Sequence, residues 1–115
     1  MKEEQGTLRI SPQVLATIAR LTILSVPGVA ELHHDLSSDM DRLFKRKGGG
    51  GGVSVDIQDD AVVVDVDIVA KRDVNLYELG REIQGQVSRA IKEMVGMPVL
   101  AVNVHIADVS PATDE

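Results

Sequence analysis

Several groups of side chains in this chain are of the types that do chemistry. His33-His34-Asp35, followed by Asp39 and Asp41 and joined by the distant His105, contains ligand types for a transition metal. Adjacent histidines rarely chelate one ion together, and the i,i+4 histidine pair of helical zinc sites is missing. Asp65 and Asp67 fall on one face of a candidate strand, with Asp56 diagonal to Asp65, and paired carboxylates can perform acid–base work. That work needs a cleft that separates their pKa values, and an open sheet face supplies none. Serine, histidine and aspartate all occur, but there is no G-x-S-x-G elbow to expose a nucleophile. Lys45-Arg46-Lys47 runs into Gly48 to Gly52, so the basic residues precede the glycines and a strand follows. A phosphate loop has the opposite order, with a lysine after the glycines and then a helix. Two aromatic residues in an acidic chain also leave no stacking platform for RNA. The residues therefore point to no catalytic site, no metal and no cofactor.

The 115 residues match one domain, 1–115, long enough to bury a core without staples. With one Phe, one Tyr and no Trp, that core must be aliphatic. The absence of cysteine excludes disulfides and thiolate sites. A net charge of −6 disfavours nucleic acid and anionic lipid as partners. Met1 to Gln5 has no apolar core for a signal peptide, and Val14 to Val26 is too short and too polar to span a bilayer. The expectation is a cytoplasmic protein without direct membrane insertion, held elsewhere only by a partner.

Thr7 to Ile10 has the alternation of a short strand, with Leu8 and Ile10 on one side. Ser11 is a helix N-cap and Pro12 the first helical residue. The helix that follows carries Val14, Leu15, Ile18, Leu21 and Leu24 or Ser25 as its buried stripe, and Pro27-Gly28 ends it. Residues 30–52 are expected to form a flexible loop, with a short helical turn near Asp39 to Phe44 and a glycine run without conformation of its own. Val53 to Gln58 and Val62 to Ile68 alternate around the turn Asp59-Asp60. Pairing Gln58 with Ala61 sets Val53 against Val66, Val55 against Val64 and Ile57 against Val62, and a one-residue slip would mix the faces. Asn75 caps a second helix, with Val74 and Leu79 as its hydrophobic staple. Its stripe is Leu76, Leu79, Ile83, Val87, Ala90, Ile91 and Met94, and Gly96 stops it. Gly80 and Gly85 are expected to let this helix pack closely on a sheet. The last strand runs from Val99 to Val109, with Leu100, Val102, Val104 and Ile106 on one face, and residues 110–115 form a frayed tail.

The order is β-α-β-β-α-β. It implies an α+β two-layer sandwich with two helices on one face of a four-stranded, mainly antiparallel sheet. A ferredoxin-like strand order is one solution. The opposite face would show Val63, Asp65, Asp67, Val69, Val99, Ala101, Asn103 and His105. A mixed apolar and acidic patch of this kind suits a protein interface.

An ordered set of segments carries a family resemblance: Gly6-Thr7-Leu8-Arg9-Ile10-Ser11, Val14, Ile18-Ala19, Pro27-Gly28-Val29, Gly52-Val53-Ser54-Val55, Ile83-Gln84, Val87, Met94-Val95-Gly96-Met97 and Val102-Asn103-Val104. Together they resemble the alkaline shock protein family, the Gls-type bacterial envelope stress response proteins. The chain departs from the family pattern at Ala70-Lys71-Arg72 and Val95 and in its five-glycine run. The resemblance implies a cytoplasmic protein without known catalysis. It implies self-association as a homo-oligomer, or docking on a membrane-anchor protein, in support of the cell envelope. A ferredoxin-like regulatory domain that binds a small ligand is the alternative.

Overall fold

A computed structural model describes residues 5–33 and 51–111. It contains helix α1 (Pro12–Leu24), strands β1 (Val29–Leu32), β2 (Val53–Gln58) and β3 (Ala61–Ala70), helix α2 (Leu76–Val95) and strand β4 (Val99–Val109). The metal ligand types at 34–41, the basic run 45–47 and the expected helical turn all lie outside the described residues.

Local chemistry accounts for both helices. Ser11 Oγ accepts from the Gln13 N–H at 3.1 Å, and Pro12 opens α1 where its missing N–H costs nothing. Asn75 Oδ1 accepts from the Glu78 N–H at 2.9 Å, and Gly96 closes α2 in the left-handed region at φ 85°.

The β2–β3 hairpin has the expected register, Val53 opposite Val66 through Gln58 opposite Ala61. β3 is the centre of the sheet. β4 runs parallel along one of its edges, joined by the α2 crossover. β1 and β2 both run antiparallel to β3, against 68–70 and 61–66 respectively. Since β4 occupies one edge, β1 and β2 must share the other, end to end. Asp67 ties the junction: its carbonyl accepts from the His33 N–H at 2.9 Å and its N–H donates to the Gly52 carbonyl at 2.8 Å. The chain leaves this interrupted strand after β1 and returns to it at β2.

The α+β class, with two helices over one face of a four-stranded sheet, is as expected. Both helices contribute to one core with the sheet: Leu15, Ala19 and Ile23 from α1; Leu79, Ile83, Val87 and Ile91 from α2; and alternate residues Val62, Val64, Val66 and Ile68 of β3. Each fully buried aliphatic side chain contributes about 1.5–3 kcal/mol.

Five details differ from expectation. Thr7 to Ile10 is not a strand; the first strand is β1, inside the stretch read as loop 30–52, so the order is α-β-β-β-α-β. Gly52 is not a free linker residue either. It sits at φ 91°, buried, and a Cβ there would lie 2.7 Å from the His33 carbonyl oxygen and 2.9 Å from that of Asp67. On α1 the buried residues are Leu15, Ala16, Ala19 and Ile23, while Val14, Leu21 and Leu24 are exposed. Gly80 and Gly85 give no close packing: an added Cβ would meet nothing within 4 Å at either. Finally, the start of the tail is held, because the Ser110 N–H donates to the Ala70 carbonyl at 2.7 Å and Arg72 donates to the Pro111 carbonyl at 3.2 Å.

Candidate interaction surface

The face of the sheet away from the helices takes its polar order from direct β3–β4 pairing. Asp65 lies opposite Asn103 and Asp67 opposite His105. Both pairs are bonded: Asn103 Nδ2 donates to Asp65 Oδ1 at 2.9 Å, and His105 Nδ1 lies 3.1 Å from Asp67 Oδ1. On β2, Gln58 Nε2 donates to Asp56 Oδ2 at 3.1 Å. Each carboxylate therefore has its own neutral or titratable partner. The arrangement is a row of oriented acceptors, not two carboxyl groups sharing a proton. No cluster of three metal-ligating side chains occurs among the described residues.

Val63 and Ala101, opposite each other and half-buried, lie beside this row. Two other predicted members of the patch are placed differently. Val99 pairs with Val62 and packs against the core. The cause is a β-bulge: the next pair is Val63 with Ala101, which leaves Leu100 as the extra residue, 62% exposed. Val69, between Glu31 of β1 and Asp108 of β4, is only 8% exposed, and Ser54 on the same face is 2% exposed. The structure thus brings together Val63, Asp65, Asp67, Ala101, Asn103 and His105, turns Val99 inward and buries Val69.

Two hollows have no counterpart in the sequence reading. A groove of about 370 Å³ runs between α2 and β4, lined by Leu76, Tyr77, Gly80, Arg81, Val104 and Ile106. The Arg81 guanidinium lies 5.7 Å from the centre of the Tyr77 ring, a cation–π distance. Gln84 Nε2 reaches across to donate to the Val102 carbonyl at 3.1 Å, which ties the helix to the strand. A second hollow of about 520 Å³ lies at the start of β4, bordered by Leu8, Ile10, Ile57, Met97 and Pro98. Leu76 and Met94, expected in the buried stripe of α2, are instead exposed at 39% and 70%, and of the two only Leu76 lines one of these hollows, the groove beside β4.

The model of the alkaline shock protein 23 family, described as having a cell envelope-related function, matches residues 1–111. The chain belongs to that family. This bears out the resemblance to the alkaline shock, Gls-type proteins. An uncharacterized protein of Bacillus subtilis, YqhY, is 27% identical over 104 residues, covering 90% of this chain and 77% of the relative. An uncharacterized protein of Streptococcus pyogenes, Spy1535, is 30% identical over 102 residues, 88% of this chain and 77% of the relative. A stress response regulator Gls24 homolog of Streptococcus pyogenes is 26% identical over 106 residues, 91% of this chain. The chain spans 59% of that relative's length. No solved structure matches. No helix among the described residues of this alkaline shock family chain is long and apolar enough to cross a membrane.

Proposed function

We propose that this alkaline shock family chain is a non-enzymatic interaction protein of the envelope stress response. It works in the cytoplasm by self-association or by docking on a membrane-anchor protein. The observation that supports this most is the set Asp56, Asp65 and Asp67, each carboxylate held by a separate partner on the sheet face away from the helices, beside the half-buried Val63 and Ala101. Oriented acceptors next to apolar side chains complement a basic, partly apolar surface on another protein. In such an interface the apolar centre carries affinity and the charges carry orientation and rate.

The test is the mass of the protein by light scattering over a range of concentrations, beside a thermal melt. Val63→Lys with Ala101→Lys should weaken association with little change in melting temperature. Asp65→Asn with Asp67→Asn should mainly reduce its dependence on salt. An anchor-bound complex would be challenged with the same variants by co-purification with the membrane fraction. If every variant associates and co-purifies as the wild type does, this face is not the docking surface.

A further inference from the structure

The segment before α1 and the groove beside β4 are each incomplete in the same way. Thr7 to Ile10 has the alternation of a strand but forms no ladder, and Leu8 is 86% exposed. β4 is the opposite case. Among the described residues its only strand partner is β3, so its far edge carries no second strand, and Gln84 of α2 bonds the Val102 carbonyl. Exposed edges are blunted by charges, proline or bulges; Val99–Val109 has no lysine or proline, and its bulges at Leu100 and Ala107 leave Val102 to Ile106 regular between them. The groove lies along this edge, beneath α2. One of its walls is Gly80, a glycine in a helix interior that the chain's own packing does not require.

We propose that Thr7 to Ile10 of a second copy adds to the open edge of β4 and seats Leu8 and Ile10 in the groove beneath α2. This rests on the self-association read above and assigns it a different surface. Leu8 and Ile10 have the same i,i+2 spacing as Val104 and Ile106, so an added strand places both pairs on the face that α2 covers. Arg9 then falls on the other face, beside His105. There it meets the carboxylate of Asp67, which lies 3.1 Å from the imidazole. Apolar matches apolar on one face and cation matches anion on the other, whether the added strand runs parallel or antiparallel.

The chain cannot fill its own groove this way. Leu8 and Ile10 border the hollow at Met97 and Pro98, and Ile10 adjoins Ser11, the fixed cap of α1. Val104 lies six residues further along β4, roughly 20 Å away at strand rise. In the donor, Ile10 exchanges its partial packing near Ile57 and Met97 for packing against Val104 and Ile106 of the acceptor. Segment and groove are different surfaces, so the contact is head-to-tail and leaves a free acceptor on one copy and a free donor on the other, open to further copies.

Two variants separate the halves. Leu8→Asp spoils the donor and leaves the groove intact; Gly80→Leu fills the groove and leaves the donor intact. Gly80→Leu should still fold and melt cooperatively, since its Cβ has open space and leucine favours a helix interior over glycine. By light scattering, wild type should grow in mass with concentration, and each variant alone should stay at monomer mass. Their equimolar mixture should reach twice the monomer mass and stop there. As a second measurement, a synthetic peptide of residues Gln5 to Ser11 should bind the Leu8→Asp protein and shift the amide resonances of Val104 to Ile106, and should not bind Gly80→Leu. Variants that associate as wild type does overturn the proposal and leave self-association standing. So does a mixture that remains monomeric, or a peptide that perturbs other residues. A wild type that is monomeric at every concentration overturns this proposal together with the self-association half of the proposed function.

Discussion

The two helices cover the same face of the same sheet, yet only one could be oriented from its sequence. α2 carries Arg81, Glu82, Arg89, Lys92 and Glu93 on its solvent side, so its apolar stripe has a marked boundary. Leu79, Ile83, Val87 and Ile91 are buried as that boundary requires. α1, Pro-Gln-Val-Leu-Ala-Thr-Ile-Ala-Arg-Leu-Thr-Ile-Leu, has one charged residue, Arg20, and apolar side chains on both sides. Size decides there. Ala16 and Ala19 are fully buried, and these small residues let α1 approach β1, β2 and α2. The larger Val14, Leu21 and Leu24 remain outside. A helix with few charges is oriented by its small residues and its neighbours, information that periodicity does not contain.

A charge placed on each side of α1 should have very unequal effects. Ala19→Asp puts an unpaired carboxylate where no solvent reaches and should cost about 4 kcal/mol or more, enough to remove cooperative melting. Leu21→Asp, two residues later, should still melt cooperatively. Circular dichroism melts of the two proteins check this, and equal losses would show that α1 is rotated from the position described.

The next largest effect is expected at Gly52, where β2 rejoins the edge of β3. Gly52→Ala combines a left-handed φ of 91° with a Cβ placed 2.7 and 2.9 Å from two carbonyl oxygens. It should cost about 2 kcal/mol or more in a urea titration. Gly51, also at positive φ but with nothing within 4 Å of an added Cβ, should lose less on the same change. A silent Gly52→Ala would mean that the His33–Asp67–Gly52 junction is not formed.

Legibility followed the same rule in the strands as in the helices. The β2–β3 hairpin alternates valine and isoleucine with Ser54, Asp56, Asp65 and Asp67, and its register came out residue by residue. Val99-Leu100-Ala101-Val102 has no polar residue to fix its parity, so the bulge at Leu100 and the inward turn of Val99 were invisible. β1 is four residues long and buries its two ends unequally, too little pattern to stand out from the loop that follows it. The polar half of the outer face was legible for the converse reason, since Asp65, Asp67, Asn103 and His105 mark themselves. The groove beside β4 was not, because it exists only once α2 is known to lie over the open edge of a parallel strand.

Gly85 gives a smaller effect of opposite sign. It is an exposed interior position of α2 with open space around an added Cβ. Gly85→Ala should raise stability by about 1 kcal/mol through helix propensity alone. Gly80→Ala should gain a similar amount, and a loss at either site would mean that α2 approaches the sheet more closely than the structure shows.

The smallest effect tests the exposed stripe of α1. Leu21 is 64% exposed, and its neighbours on that side, Thr17 and Leu24, are exposed as well. Leu21→Lys keeps a long aliphatic stem that can lie along the helix surface while the ammonium reaches water. Lysine and leucine have nearly equal helix propensity, so the backbone is indifferent to the change. Arg20 is the nearest basic residue and sits about 100° around the helix, which leaves little like-charge repulsion. The net effect on stability should therefore fall within about 0.5 kcal/mol of zero in a urea titration. A loss well beyond that would mean that Leu21 is covered by protein. A titration run at two concentrations decides by what: a loss that grows with concentration places the cover on another copy, and a constant loss places it within the chain.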